Sequence, residues 1–351
     1  MRIIHITPIN PYSPPPVIKD IFPSLPNYLE IIPERFSMQK RSFTDCFSSS
    51  PLILMEGAIG LRLEHEYNIK PDKDVVYAGL IYDKTARNVL SVLYGQYLAI
   101  ARDFSLPIML MTNTRRANRE RVERSAFGKA IMRDYTEFLY ELADGYDCEA
   151  YVGGMTGCRG DAYSGSEGLT EERAYEFHMW QAEAFNDCRP DFMFAGIMPC
   201  LPEAAGVAKA FETLELPYII SFMINRQGNL LDGTSINDAI AAIDGAMAKK
   251  PLCYMTNCVH PNVLAQALSE PFNRTALVSE RFCGIQANAA DADACRLDKC
   301  GEPVTTGAKE LADCFAALHS EFPMKIYGGC CGTDNTHIRE IARNMKRIIS
   351  G

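Results

Sequence analysis

The chain has 351 residues, of which 47% are hydrophobic and 23% are charged, as in an ordinary soluble globular protein. Its formal net charge is −9 and it has no long cluster of lysine and arginine, which argues against nucleic acid or an anionic membrane surface as the main partner. No apolar run approaches the roughly 18 residues of a membrane span, and the N-terminus lacks the pattern of a signal peptide, so we expect a cytoplasmic protein.

Residues 1–42 are predicted to form an N-terminal extension. Prolines recur between residues 11 and 33 and interrupt any regular helix or strand. Met38 would serve equally well as a start. We therefore place the functional domain at residues 43–351, a size that one α/β barrel can have.

From residue 51 the sequence alternates between short apolar runs and longer amphipathic segments, which predicts eight strand and helix pairs. The predicted strands are 52–56, 107–111, 150–152, 191–197, 218–222, 252–256, 282–286 and 324–327. The predicted helices are 84–102, 119–142, 170–185, 203–214, 235–248, 263–268, 309–320 and 336–349. Ser235 and Asp238 fit a capping box at the start of the fifth helix.

Eight such pairs with short connections predict an α/β fold of the TIM (β/α)8 barrel type, in one domain. An open doubly wound sheet is the alternative, weakened because no GxGxxG turn follows the first strand. In a barrel, the loops after the strands build the active site. The candidate substrate-binding residues are therefore polar side chains at strand ends: Glu56, Thr112, Asn113, Ser221 and Asn257.

Three cysteines at strand ends are the candidate metal ligands. Cys258 ends the sixth strand, and Cys330 with Cys331 ends the eighth, so in a closed barrel they lie on one rim, separated only by the seventh strand. Three protein ligands with an open fourth position are typical of a catalytic zinc, and thiolates favour zinc over magnesium or calcium. Two other interpretations remain: buried cysteines at a glycine-rich turn, or a structural site closed by His260.

The chain resembles the homocysteine S-methyltransferase family of zinc-dependent barrels over roughly residues 51–345. The resemblance lies in EGAIG at 56–60, TNT at 112–114, GTS at 233–235, NCVHP at 257–261 and GGCCGT at 328–333. It implies that Cys258, Cys330 and Cys331 bind Zn²⁺. It also implies methyl transfer from an activated donor to homocysteine, giving methionine, with no catalytic side chain beyond the metal site.

Two positions depart from the family pattern. Glu56 stands where the family usually has aspartate, and Gly196 stands where it has a glutamate that resembles an anchor for the substrate amine. Because a buried ammonium needs a charged partner, either Glu56 replaces that anchor or the acceptor is a different thiol.

The methyl donor is left open by the sequence. No cobalamin-binding or folate-binding domain follows the barrel, so a methylated small molecule or a separate corrinoid protein must supply the methyl group. Tyr77, Tyr82 and Tyr163 lie in loops and could surround an onium donor, although loop tyrosines more often pack.

Two further classes of protein remain as alternatives. A barrel lyase or hydrolase would need a lysine or paired carboxylates at strand ends, and no strong candidate is present. A zinc-binding or thiol-binding protein without activity stays open, because Gly196 replaces the expected anchor.

Overall fold

Eight parallel strands close into a barrel in the computed structural model, which describes residues 40–165, 168–292 and 305–350. Each strand pairs with the next in sequence, and β8 pairs with β1. The strands are β1 Ile53–Met55, β2 Ile108–Met111, β3 Ala150–Gly157, β4 Phe192–Met198, β5 Tyr218–Phe222, β6 Cys253–Asn257, β7 Phe282–Ala287 and β8 Ile326–Gly329. The predicted TIM barrel is confirmed.

Helices connect the strands and cover the barrel. They are α1 Phe43–Ser49, α2 Gly60–Tyr67, α3 Lys84–Phe104, α4 Arg119–Arg124, α5 Ile131–Ala143, α6 Glu171–Cys188, α7 Leu201–Glu212, α8 Ile236–Ala246, α9 Pro261–Ser269, α10 Ala276–Arg281, α11 Ala308–Glu321 and α12 Asn335–Ser350, with a 3-10 helix at Ala78–Tyr82. Ser235 caps α8 as predicted, because its Oγ accepts the Asp238 N–H at 2.9 Å. Among the described residues, no helix is long and apolar enough to cross a membrane.

Alternate residues of each strand point into the barrel, since successive side chains of a strand face opposite sides. The interior cluster contains, among others, Met55 of β1, Met111 of β2, Phe194 of β4 and Met255 of β6. The intervening residues pack against the helices in a second and larger cluster. The positions just beyond the inward-facing residues therefore form the C-terminal rim around the mouth of the barrel.

Helix α1 closes the N-terminal end of the barrel. Ser42 caps it by accepting the Asp45 N–H, and the Phe43 ring stacks on Phe192 with centroids 4.2 Å apart. Arg41 forms an ion pair with Glu149 at 2.6 Å. Residues 1–39 lie outside the described residues, so the boundary between a 1–42 extension and a 43–351 domain stays a prediction.

The predicted helix 119–142 is wrong in one respect, because the structure has two helices there. The first ends when Ser125 Oγ accepts the Phe127 N–H at 3.0 Å. The Phe127 ring then stacks on Tyr82 with centroids 5.4 Å apart, and it fills the space beside Gly79. This packing draws the chain out of the helical path between the two helices, in a segment that also contains the helix-breaking Gly128.

The third strand is longer than the predicted 150–152. Gly153 pairs with Met111 of β2 and with Phe192 of β4, so the strand continues past residue 152. A Cβ at Gly153 would lie 2.6 Å from Met111 Cε and from Phe192 Cζ. Gly153 therefore makes room for side chains of neighbouring strands.

Candidate metal centre

Three cysteine side chains meet at the C-terminal rim. Cys258 directly follows β6, and Cys330 and Cys331 directly follow β8. The Sγ atoms of Cys258 and Cys331 are 3.4 Å apart, those of Cys330 and Cys331 are 3.9 Å apart, and all three lie within 4.8 Å of one another. All three thiols are free. The structure thus brings together the cysteines that the strand order placed on one rim.

The backbone around the cysteines is fixed by close contacts. The Cys330 N–H donates to the Ala287 carbonyl at 2.6 Å, which joins the turn to β7. Cys258 has a φ of 64°, a left-handed conformation that residues with a side chain rarely adopt. Gly329 is required by packing, because a Cβ there would lie 2.2 Å from Thr333 Oγ1. The backbone beside the thiols is therefore held by a hydrogen bond and by packing, and it is strained at Cys258.

The thiols influence one another electrostatically. Contacts with the thiols of Cys330 and Cys331 lower the pKa of Cys258 well below its usual range, against the effect of burial. Contact with Cys258 raises the pKa of Cys331 to about 12, and it also raises the pKa of Cys330. The cluster therefore carries one negative charge readily, whereas three thiolates need a cation among them.

The cluster fits a zinc ion. Sulfur ligands lie about 2.3 Å from zinc, so two sulfurs of a tetrahedral site stand roughly 3.8 Å apart. The Sγ separations of 3.4 Å and 3.9 Å in the structure lie on either side of that value. Soft thiolate ligands suit zinc better than magnesium or calcium. Cys258, Cys330 and Cys331 are the residues that would hold the ion.

His260 lies outside the cluster of cysteines. Its Nδ1 accepts the Asn262 N–H at 3.2 Å and caps α9, and its Nε2 lies 3.2 Å from Thr306 Oγ1. Both ring nitrogens therefore have partners within the protein. The structure gives no support to the alternative in which His260 is the fourth ligand of a structural zinc site.

Tyr163 and Asn288 contact the Cys258 sulfur. The Tyr163 hydroxyl lies 2.9 Å from Cys258 Sγ, and Asn288 Nδ2 donates to the same atom at 3.6 Å. Burial, and then the charges of the cysteines, raise the pKa of Tyr163, so its hydroxyl stays protonated and donates to the sulfur. The sequence placed Tyr163 in a loop, but no local pattern assigned Tyr163 or Asn288 to the cysteines.

Ser221 and Asn257 form one hydrogen-bonded unit at the ends of β5 and β6. Ser221 Oγ donates to Asn257 Oδ1 at 2.6 Å, and the Ile197 N–H donates to the same oxygen at 2.9 Å. Ile197 has a φ of 53°. Asn257 therefore holds the irregular C-terminal end of β4, where the register with β5 shifts between Ala195 and Met198, and it immediately precedes Cys258.

Thr112 and Asn113 are likewise engaged by the protein. Thr112 Oγ1 accepts the Met155 N–H at 2.9 Å, which joins the ends of β2 and β3. Asn113 Nδ2 donates to the hydroxyls of Tyr94 and Tyr135 at 3.0 Å and 2.9 Å. Each residue thus stabilises the rim, and the substrate role that the sequence suggested stays a prediction.

Glu56 is buried behind the rim. Its side chain accepts the Met111 N–H at 3.2 Å, and the residue is 4% exposed. Burial raises its pKa to about 8, so the carboxyl is mostly protonated at neutral pH. Its charge, when present, would raise the pKa of Tyr94 and Tyr97 of α3. The carboxyl therefore lies near tyrosines of the helical layer.

The position of Gly196 is occupied by a neighbouring side chain. A Cβ at Gly196 would lie 2.5 Å from Met155 Cε and 3.3 Å from Phe194 Cε1, and the Met155 side chain is half-buried. A flexible thioether therefore fills the inward space that a side chain at position 196 would take.

Comparisons with known proteins indicate a family for this chain. A model of the family described as homocysteine S-methyltransferase matches residues 53–345. Homocysteine S-methyltransferase 1 of Zea mays is 24% identical over 260 residues, which cover 72% of this chain and 74% of the maize protein.

Solved structures of the homocysteine methyltransferase MmuM from Escherichia coli share the fold. The metallated form has a TM-score of 0.67 at 17% identity, and the oxidized form has a TM-score of 0.66 at 17% identity. Each alignment covers 84% of this chain and 97% of the other. At this identity the likeness supports the barrel fold.

Proposed function

The chain belongs to the homocysteine S-methyltransferase family and is a methyltransferase enzyme, and on this premise we propose that it methylates homocysteine to methionine at a zinc site. The proposed ligands are Cys258, Cys330 and Cys331. The methyl donor in this proposal is an activated small molecule. The observation that carries the proposal is the convergence of three free thiols on one barrel rim.

The metal chemistry follows from the donor set. When bound, zinc lowers the pKa of an acceptor thiol and keeps its sulfur nucleophilic at neutral pH. Cys258, Cys330 and Cys331 would hold the ion through three thiolates, which would leave room for the acceptor sulfur beside it. In the transfer, the sulfur forms a bond to the methyl carbon, the bond from that carbon to the donor breaks with its electron pair, and the thiol proton goes to water.

The residues of the chain hold and orient this site. Tyr163 and Asn288 donate to Cys258 Sγ and so restrain one proposed ligand. Asn257, tied to Ser221, restrains the backbone just before that cysteine. We assign them a positioning role, since a displaced sulfur would spoil the alignment with the methyl group.

The test is a methyl-transfer assay on the purified zinc-loaded protein. Homocysteine is offered with S-methylmethionine, betaine or methylcobalamin, and methionine is measured by mass spectrometry. We expect methionine from one or more donors, and none when zinc has been removed by a chelator. Absence of product with every donor, from protein that carries one zinc per chain, would contradict the proposal.

A further inference from the structure

Arg115 is a half-buried cation at the same rim as the cysteines. It follows β2, and its side chain lies across Gly157, the last residue of β3, where a Cβ would be 2.2 Å from Arg115 Cγ. Gly157 is the register partner of Gly196 in β4. Gly157 and Gly196 thus lie near the C-terminal ends of two adjacent strands, and the Arg115 side chain lies over Gly157.

The charge of Arg115 acts on the metal side of the mouth. Contact with Cys258 raises the pKa of Cys331 and burial raises the pKa of Tyr77, and the positive charge of Arg115 opposes both rises. The Tyr77 ring lies over Gly60, the first residue of α2. In the described part of the chain, no side chain or carbonyl accepts a hydrogen bond from the Arg115 guanidinium. Its neighbour Arg116 differs, since Arg116 Nη1 donates to the Gly160 carbonyl at 2.7 Å.

Neither Gly196 nor Glu56 offers a carboxylate that a ligand at the mouth could reach. The inward space at Gly196 holds the Met155 thioether, which offers no charge. Glu56 is 4% exposed, and its carboxyl accepts a backbone N–H from β2. A desolvated ammonium is costly without a carboxylate beside it, so an acceptor's ammonium group gains no stabilisation at these two positions.

We propose that Arg115 binds the carboxylate of the thiol acceptor and that the site does not recognise an α-ammonium, so its acceptors form the class of mercaptocarboxylates, homocysteine among them. This inference rests on the proposed thiol methyl transfer. Arginine suits the role because its planar guanidinium donates two parallel hydrogen bonds to a carboxylate. Met155 would pack against the methylene chain between the sulfur and the carboxylate.

Three thiols test the inference by calorimetric titration of the zinc-loaded protein. They are homocysteine, 4-mercaptobutanoate, which lacks only the ammonium, and 3-aminopropane-1-thiol, which lacks only the carboxylate. We expect the first two to bind within about threefold of each other, and the aminothiol at least about tenfold more weakly, the worth of one charge-assisted hydrogen bond. Methylation of each thiol is measured in parallel.

Variants separate recognition from a structural role. Arg115→Gln should weaken binding of both carboxylates about tenfold and leave the aminothiol unchanged, and Arg115→Lys should restore part of the loss. Arg119→Gln is the matched control, because Arg119 is exposed and pairs only with Glu123 among the described residues. If the glutamine variant does not fold, the order of the three binding affinities on the unmodified protein decides whether the carboxylate is recognised.

Two results would overturn the inference while the proposed function stands. One is homocysteine binding more than about tenfold tighter than 4-mercaptobutanoate, because the ammonium would then be recognised. The other is an equal loss of affinity for all three thiols in Arg115→Gln, which would indicate that Arg115 has a structural role. Failure of the proposed function has a different signature: thiols bind in the expected order, yet no donor methylates any of them.

Discussion

The two ends of the barrel differ in what fills them. At the N-terminal end, Phe43 stacks on Phe192 and packs against Tyr151 with ring centroids 5.3 Å apart, so aromatic rings close the interior. At the C-terminal end, Gly157 and Gly196 carry no side chains, and the thiols converge beside the opening. The same strands thus supply a packed closed end and an open end with chemical groups.

The difference teaches where substitutions should affect stability and where they should affect activity. Side chains of the closed end contact only other parts of the protein, so their removal costs free energy of unfolding. Side chains of the open end hold a metal or a substrate under the proposed function, so their removal changes binding. Three substitutions test this division.

The largest effect is expected for Cys330→Ala at the open end. Removal of one of three proposed ligands should abolish stoichiometric zinc and reduce methyl transfer by about a hundredfold or more. Zinc is measured by elemental analysis of the purified protein. Cys314→Ala, on α11, is the control and should keep one zinc per chain. Full zinc content in the Cys330 variant would show that Cys330 is not a zinc ligand, and it would contradict the proposed role of the open end.

Phe43→Ala tests the closed end. Phe43 is 2% exposed and stacks on Phe192, so its truncation should lower the free energy of unfolding by about 3–5 kcal/mol. Zinc content and methyl transfer of the folded fraction should stay unchanged. Urea denaturation followed by circular dichroism measures the loss. A variant that keeps its stability and loses zinc would show that the two ends are coupled.

Glu56→Gln tests a residue near the open end that is nevertheless buried, as the residues of the closed end are. The folded pKa of Glu56 is about 8, above the ordinary value of 4.5. The folded state therefore holds a proton that the unfolded state releases in this window, and stability should fall as the pH rises from about 4.5 to 8. The neutral glutamine should flatten that part of the melting-temperature profile. An unchanged slope would mean that Glu56 is ionised in the folded protein.

Much of the fold followed from the sequence because strands and helices have local signatures. Strand β5 has the predicted bounds of 218–222, and the cap of α8 is Ser235, as the capping box indicated. Helix α1 had no predicted counterpart, since seven residues after a proline-rich segment carry too little periodicity. Its place is set by contacts of Phe43 with strands more than 100 residues away.

The sequence by itself determined that Cys258, Cys330 and Cys331 stand on one rim, because strand order and the C-terminal ends of parallel strands fix that rim. Only the tertiary structure decided that Glu56 is buried near the tyrosines of the helical layer and that Tyr163 contacts Cys258. Beyond the last strand residue, the direction of a side chain depends on packing against helices and loops distant in sequence, and no local pattern encodes that packing.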